Sequence, residues 1–201
     1  MTNSPKPLTR HVTFHARRAL AAGYGADLHW YADALDRASG MATRHGVPVH
    51  VAVGVIAALS PRMEWEANLR IAERMLASGG TLTRGALTAM LSKARDIVAG
   101  IDPLAAMTAP KTANFYRAII SAGADGVVID RHAIDVATNT RHTDATRPSL
   151  TPKQYETYAN CYRRAAVILS EETGRPWSPS EVQALTWEAW RREHKGKRAR
   201  R

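Results

Sequence analysis

The sequence predicts an all-α fold, and three observations carry that expectation. Apolar residues recur at helical spacing through most of the chain. Cap residues, prolines and glycines punctuate those stretches where helices start and stop. The only run with β character, Val127-Val128-Ile129, is three residues long and too short to found a sheet. Taken in order, Asp27 to His45 places Leu28, Tyr31, Leu35 and Ala38 on one face and ends at Gly46 and Pro48. Val49 to Leu59 is apolar nearly all round, a buried helix or a buried strand by periodicity, and its Ala content and single Gly favour helix. Ser60-Pro61 breaks the chain, after which Trp65, Leu69, Ala72 and Leu76 stripe a helix that closes at Gly79-Gly80. Thr83 is the expected cap of a helix through Ala99, with Leu87, Met90, Leu91, Ala94 and Val98 on its face. Pro110 opens a helix through about residue 122, and Asp130 caps one over Arg131 to Ala137. Thr151-Pro152 and Ser178-Pro179 are cap-plus-proline starts, the second with Glu181 at the capping-box position, and announce helices over 152–172 and 179–194. The polar stretch Asn139 to Leu150 is the expected hinge.

The chain has 201 residues, 45% apolar and 23% charged, the composition of one globular domain. We expect a single domain over 1–190 and a basic C-terminal tail over 191–201. The longest apolar run, Val51 to Leu59, is nine residues, about half of what a bilayer-spanning helix needs. No membrane partner is therefore expected. The N-terminus carries no secretory-type apolar stretch, and Cys161 is the single cysteine. These point to a cytoplasmic protein without an internal disulfide or an iron-sulfur cluster. The formal charge of +10 favours a polyanionic partner such as nucleic acid. Much of it is local: between Arg191 and Arg201 stand seven basic residues and one Glu, a net +6. Lys195, Lys197, Arg198, Arg200 and Arg201 are accordingly expected to track phosphates.

No Walker loop, dinucleotide fingerprint or nucleophile elbow is present, which removes ATPase, Rossmann and serine-hydrolase readings. His11 and His15 have the spacing of a helical metal pair, but no acidic neighbour completes a site. We expect no metal and no cofactor. Tyr155, Tyr158, Tyr162, Trp177, Trp187 and Trp190 crowd the last third of the chain and read as core before base-stacking platform.

The informative stretch is Pro110 to Arg141. Lys111 lies in the first turn of one helix and Asp130, nineteen residues later, starts another. A nucleophilic lysine needs burial or positive neighbours to lower a pKa that is ordinarily about 10.4, and a helix N-terminus supplies part of that field. An aspartate beside it can take the lysine's proton or stabilise positive charge on a sugar ring. The plainer reading is a surface lysine and a helix cap.

The segment KTANFYRAII…VVIDRHAIDVATNTR resembles the helix-hairpin-helix DNA glycosylase superfamily, endonuclease III in particular. The matching residues are Lys111, Thr112, Ala113 and Asn114, then Ile129, Asp130 and His132. Two further blocks are similar in the same order, AALSPRMEWEAN over 57–68 and SKARDIV over 92–98. The resemblance covers residues 48–142. It implies a glycosylase-like helical bundle that acts on a flipped base in DNA. Lys111 would be the nucleophile that forms a Schiff base with the sugar, and Asp130 its acidic partner. Arg62, at the family's glutamine position, would probe or fill the gap in the duplex. His132 would hold the helix start or touch phosphate, and Asn114 and Arg131 would contact DNA. A glycosidic carbon inside stacked duplex is out of reach, so flipping is physically required.

The chain departs from the pattern where the family has a glycine-rich hairpin. AAMTAP over 105–110 stands there, a degenerate hairpin whose proline replaces a backbone donor. The interval from lysine to aspartate is one residue longer than in endonuclease III, and the cysteine cluster is missing. Ser60, Pro61, Trp65, Asn68, Asn114, Phe115, Tyr116, Ile129, Asp130 and Arg131 are similar to a divergent phage branch of the superfamily, the thymine pyrophosphorylase-like proteins of DNA hypermodification. That branch implies replacing an activated group on a 5-hydroxymethyl pyrimidine with an amine. Three expectations result: a monomeric N-glycosylase or AP lyase first, a hypermodification enzyme second, and a non-catalytic DNA-binding module third.

Overall fold

A computed structural model describes residues 5–194, apart from the side chains of 26–28, and these residues are all-helical: ten α-helices, one 3-10 turn and no strand. They divide into two compact units, one made of residues up to Trp30 and from Val127 on, the other of Tyr31–Gly126. No single helix among the described residues is long and apolar enough to cross a membrane.

The Tyr31–Gly126 unit is organised around α3 (Val49–Leu59), every residue of which from Val51 to Leu59 is buried. Its neighbours are α4 (Trp65–Ala77), α5 (Thr88–Val98), the one-turn α6 (Pro103–Ala106) and α7 (Pro110–Ile120). An apolar helix wrapped on all sides explains why its sequence shows no polar face. Gly54 sits where α3 meets α6: a β-carbon there would lie 2.8 Å from Pro103 Cγ. The buried Asn68 amide of α4 donates to the Ile56 carbonyl at 3.0 Å, which ties α4 to the end of α3. Helix α2 (Trp30–His45) is clasped to α4 by Arg37–Glu66 and Arg44–Glu73. A groove of about 450 Å³ runs along that seam, its charges largely paired with each other.

The other unit packs α1 (Thr9–Ala21), the 3-10 turn Tyr24–His29, α8 (Arg131–Thr138), α9 (Pro152–Thr173) and α10 (Pro179–His194). Tyr162 is completely buried at its centre and donates to the Ala133 carbonyl at 2.9 Å. Val127–Ile129, the one β-like run, is buried but belongs to no helix or strand. The Tyr155 hydroxyl takes a strand's place, donating to the Val127 carbonyl at 2.8 Å and accepting from the Ile129 N–H at 3.0 Å. Buried backbone groups must be paired, and here one side chain does it.

The cap signals act as the sequence predicts. Thr151 and Gln154 form a reciprocal capping box, Ser178 and Glu181 do the same, and Asp130 caps α8. Thr83 caps nothing: α5 begins five residues later because Gly85 at φ +113 breaks the path. Asp27 lies within the 3-10 turn, so α2 begins at Trp30. Two helices went unpredicted. The buried face of α1 is Val12, Thr13, His15, Ala16 and Ala19, too small and polar to stand out. The brief α6 starts at Asp102-Pro103, with Asp102 accepting from the Leu104 and Ala105 N–H groups. The stretch 139–150, expected as a hinge, is internal to its unit and pinned by Arg147, which donates to the His142 carbonyl at 2.7 Å and pairs with Asp144 and the buried Asp135.

Candidate active site

Asp130, itself in extended conformation, follows the buried Val127–Ile129 segment and caps α8, so one residue serves as the joint between them. Its Oδ1 accepts from the His132 and Ala133 N–H groups, each at 2.9 Å, the usual work of an N-cap. Its Oδ2 accepts from the Trp187 indole N–H of α10 at 2.9 Å. The side chain is half-buried, so the carboxylate is both fixed and reachable.

An aromatic and cationic surround completes the site. Trp187 meets the His132 ring edge-on at 6.1 Å and the Trp30 ring at 6.5 Å between centroids. The Arg191 guanidinium lies over the Trp187 ring, 4.7 Å from its centroid. Glu188 accepts from Arg192 Nε at 2.6 Å and lies 3.5 Å from Arg191 Nε, anchoring both arginines on the last turns of α10. Arg131 is exposed, and its Nε donates to His132 Nε2 at 3.2 Å. The proton of that imidazole therefore sits on Nδ1, a buried atom with no hydrogen-bond partner among the described residues. Burial pushes the His132 pKa below its ordinary value; the charges of Arg131, Arg147 and Arg191 add to this, and Asp130 opposes it. The helix start expected of His132 is held by Asp130.

Asp130, Arg131 and His132 thus stand together in one unit, joined by Trp187, Trp30 and Arg191, none of which the sequence placed at the site. Trp187 lies 57 residues from Asp130 and reads as one more helical aromatic. Lys111, Asn114 and Arg62 belong to the Tyr31–Gly126 unit. Lys111 is in the first turn of α7 and exposed, so it is not a lysine held in an apolar pocket. The Asn114 amide donates to the Pro110 carbonyl one turn back at 2.9 Å. Edge-to-face contact of Trp65 with Phe115, 6.5 Å between centroids, joins the start of α4 to α7. Arg62 is exposed and adopts φ +60 in the turn closed by the Met63 N–H on the Ser60 carbonyl. The left-handed region is costly for a side chain of this size, and such strain concentrates at functional positions. Lys195, Lys197, Arg198, Arg200 and Arg201 lie outside the described residues.

The histidine pair of α1 is engaged structurally. His11 Nδ1 bonds with the Ala137 carbonyl at 3.0 Å, and His15 Nε2 with Asn139 Oδ1 at 2.8 Å. Among the described residues no group of three or more His, Cys, Asp or Glu side chains is placed to hold a metal. Of the six late aromatics, Tyr155, Tyr158, Tyr162, Trp177 and Trp190 are buried, and only Trp187 reaches the surface.

Residues 2–194 match a family described as a family of unknown function, DUF7178. No curated protein and no solved structure matches the chain.

Proposed function

We propose that this chain, which belongs to DUF7178, a family of unknown function, processes bases in DNA, acting on a nucleotide turned out of the duplex. Asp130 is the group that carries the reading. A carboxylate fixed by three donors, half-open to solvent and set beside a half-buried indole and an arginine suits acid–base work on a base held nearby. The motif resemblance supplies the substrate class and the +10 charge agrees with it. In the leading reading the protein is an N-glycosylase and AP lyase, monomeric and free of metal and iron-sulfur cofactors. By the motif resemblance, Lys111 Nζ attacks C1′ of the sugar, the glycosidic bond breaks and the base leaves with a proton, and opening of the sugar ring gives the Schiff base. Asp130 is the acidic partner that stabilises the positive charge and accepts the ammonium proton. Asn114, Arg131 and His132 contact the DNA, Arg62 enters the gap left by the base, and the tail residues follow the backbone.

The exposure of Lys111 favours a second reading. There Asp130 deprotonates an amine that displaces pyrophosphate from an activated 5-hydroxymethyl pyrimidine, and no imine forms.

A panel of duplex oligonucleotides carrying uracil, 5-hydroxymethyluracil, an abasic site or a mismatch tests the proposal. Base release or strand cleavage is expected, with a borohydride-trapped adduct that disappears in Lys111→Ala. Asp130→Asn should lower the rate by about 100-fold or more, the scale of a lost general acid or base. Turnover without an adduct selects the second reading, read out as a changed pyrimidine by mass spectrometry. Wild-type activity that survives both substitutions refutes the assignment of the site.

A further inference from the structure

Asp130 is the acid–base group of the proposed function, and a catalytic use for its neighbour Trp187 rests on that reading. A carboxylate offers about four lone-pair positions. Two on Oδ1 are taken by the N–H groups of His132 and Ala133, and one on Oδ2 by the Trp187 indole. A single position stays open, on Oδ2. The carboxylate torsion of aspartate is soft, so the partner on Oδ2 narrows the rotation that the two bonds on Oδ1 leave, and with it the direction of that last lone pair. We infer that Trp187 is a positioning residue: its indole N–H aims the open lone pair of Asp130 at the reacting group.

Trp187 is itself held in place to a degree that a half-exposed surface ring does not need. Arg191 covers its face, His132 and Trp30 pack against it, and Glu188 anchors Arg191 from the same helix. The assembly puts control of a carboxylate at the start of α8 into a side chain of α10. The cap bonds on Oδ1 remain without Trp187, so removing the indole N–H leaves α8 intact and lets the carboxylate turn, as one rigid plane, within the slack that those two bonds allow.

The decisive variant is the full-length chain with Trp187 replaced by benzothienylalanine, which keeps the fused ring and exchanges N–H for sulfur. On the best substrate of the oligonucleotide panel, kcat should fall about 10- to 100-fold, the scale of a misaimed catalytic group. KM should stay within about twofold, as for an interaction made only in the transition state, and the melting temperature within about 2 °C. Arg191→Gln, which loosens the ring but retains the N–H, should lose part of kcat and no more. An unchanged kcat overturns the inference and leaves the proposed function standing. A fall in kcat tracked by equal loss of melting temperature or of DNA affinity also overturns it, since Trp187 would then be packing alone. Absence of turnover by the wild type on every substrate removes the proposed function and this inference with it.

Discussion

Arg62 is the residue at which stability and function should part company. Its left-handed backbone conformation costs a non-glycine residue about 1–2 kcal/mol. Glycine adopts that φ freely but loses about 0.5–1 kcal/mol more chain entropy on folding. The arginine side chain is exposed, so its removal forfeits little packing. Arg62→Gly should therefore stabilise the protein by about 0.5–1 kcal/mol. With a urea dependence of about 2–3 kcal/mol per molar, the unfolding midpoint should rise by about 0.2–0.5 M at unchanged slope. Arg62→Ala retains the strained φ and should bring no such gain. In the same preparations Arg62→Gly should bind an abasic duplex less tightly than the wild type. A midpoint that falls, or equal gains for glycine and alanine, would refute the claim that the turn is strained. Undiminished binding would refute its use on DNA.

Tyr155→Phe removes the hydroxyl that pairs Val127 and Ile129, and the buried N–H left without this acceptor should cost about 1–3 kcal/mol in urea melts; Tyr158→Phe is the control and should cost less. The pH dependence arises from two histidines whose pKa burial holds below the ordinary 6.5, His15 and His132. The unfolded chain takes up their protons first as pH falls, so the stability they contribute is complete above about pH 6.5 and is lost as pH drops through their lowered native values. Unfolding midpoints between pH 8 and pH 5 should show this decline, shallower in His15→Gln and in His132→Gln; a decline of unaltered steepness in both would refute it. The buried Asp135 has its pKa raised by desolvation, against the pull of Arg147. Its contribution has the opposite sign, complete below about pH 3.8 and lost as pH rises through the raised native value.

What the sequence disclosed, and what it withheld, divides along the reach of the interactions. Thr151, Ser178 and Asp130 announced their helices because a cap bonds within three residues of itself. Thr83 has the chemistry of a cap, but Gly85 at φ +113 follows two residues later, where the chain cannot continue as helix. Helix α1 stayed hidden because its inner face is alanine, threonine, valine and histidine, residues that are buried here only through their packing against other elements of the unit. At the candidate site, Asp130, Arg131 and His132 were legible as neighbours in a motif. Trp187 was not, since its meaning lies in one hydrogen bond to a residue far back in the chain and no local pattern encodes that.

Asp130 has a consequence for how such a gene can decay. The same carboxyl group fastens a helix and, in the function proposed, performs the reaction. Asparagine is an equally good cap and stands one transition away in the genetic code. A single nucleotide replacement can thus keep the helix fastened through Oδ1, at the cost of the Trp187 hydrogen bond, and leave the chemistry silent, so a lineage that keeps only the grip on its target needs little rebuilding to get there.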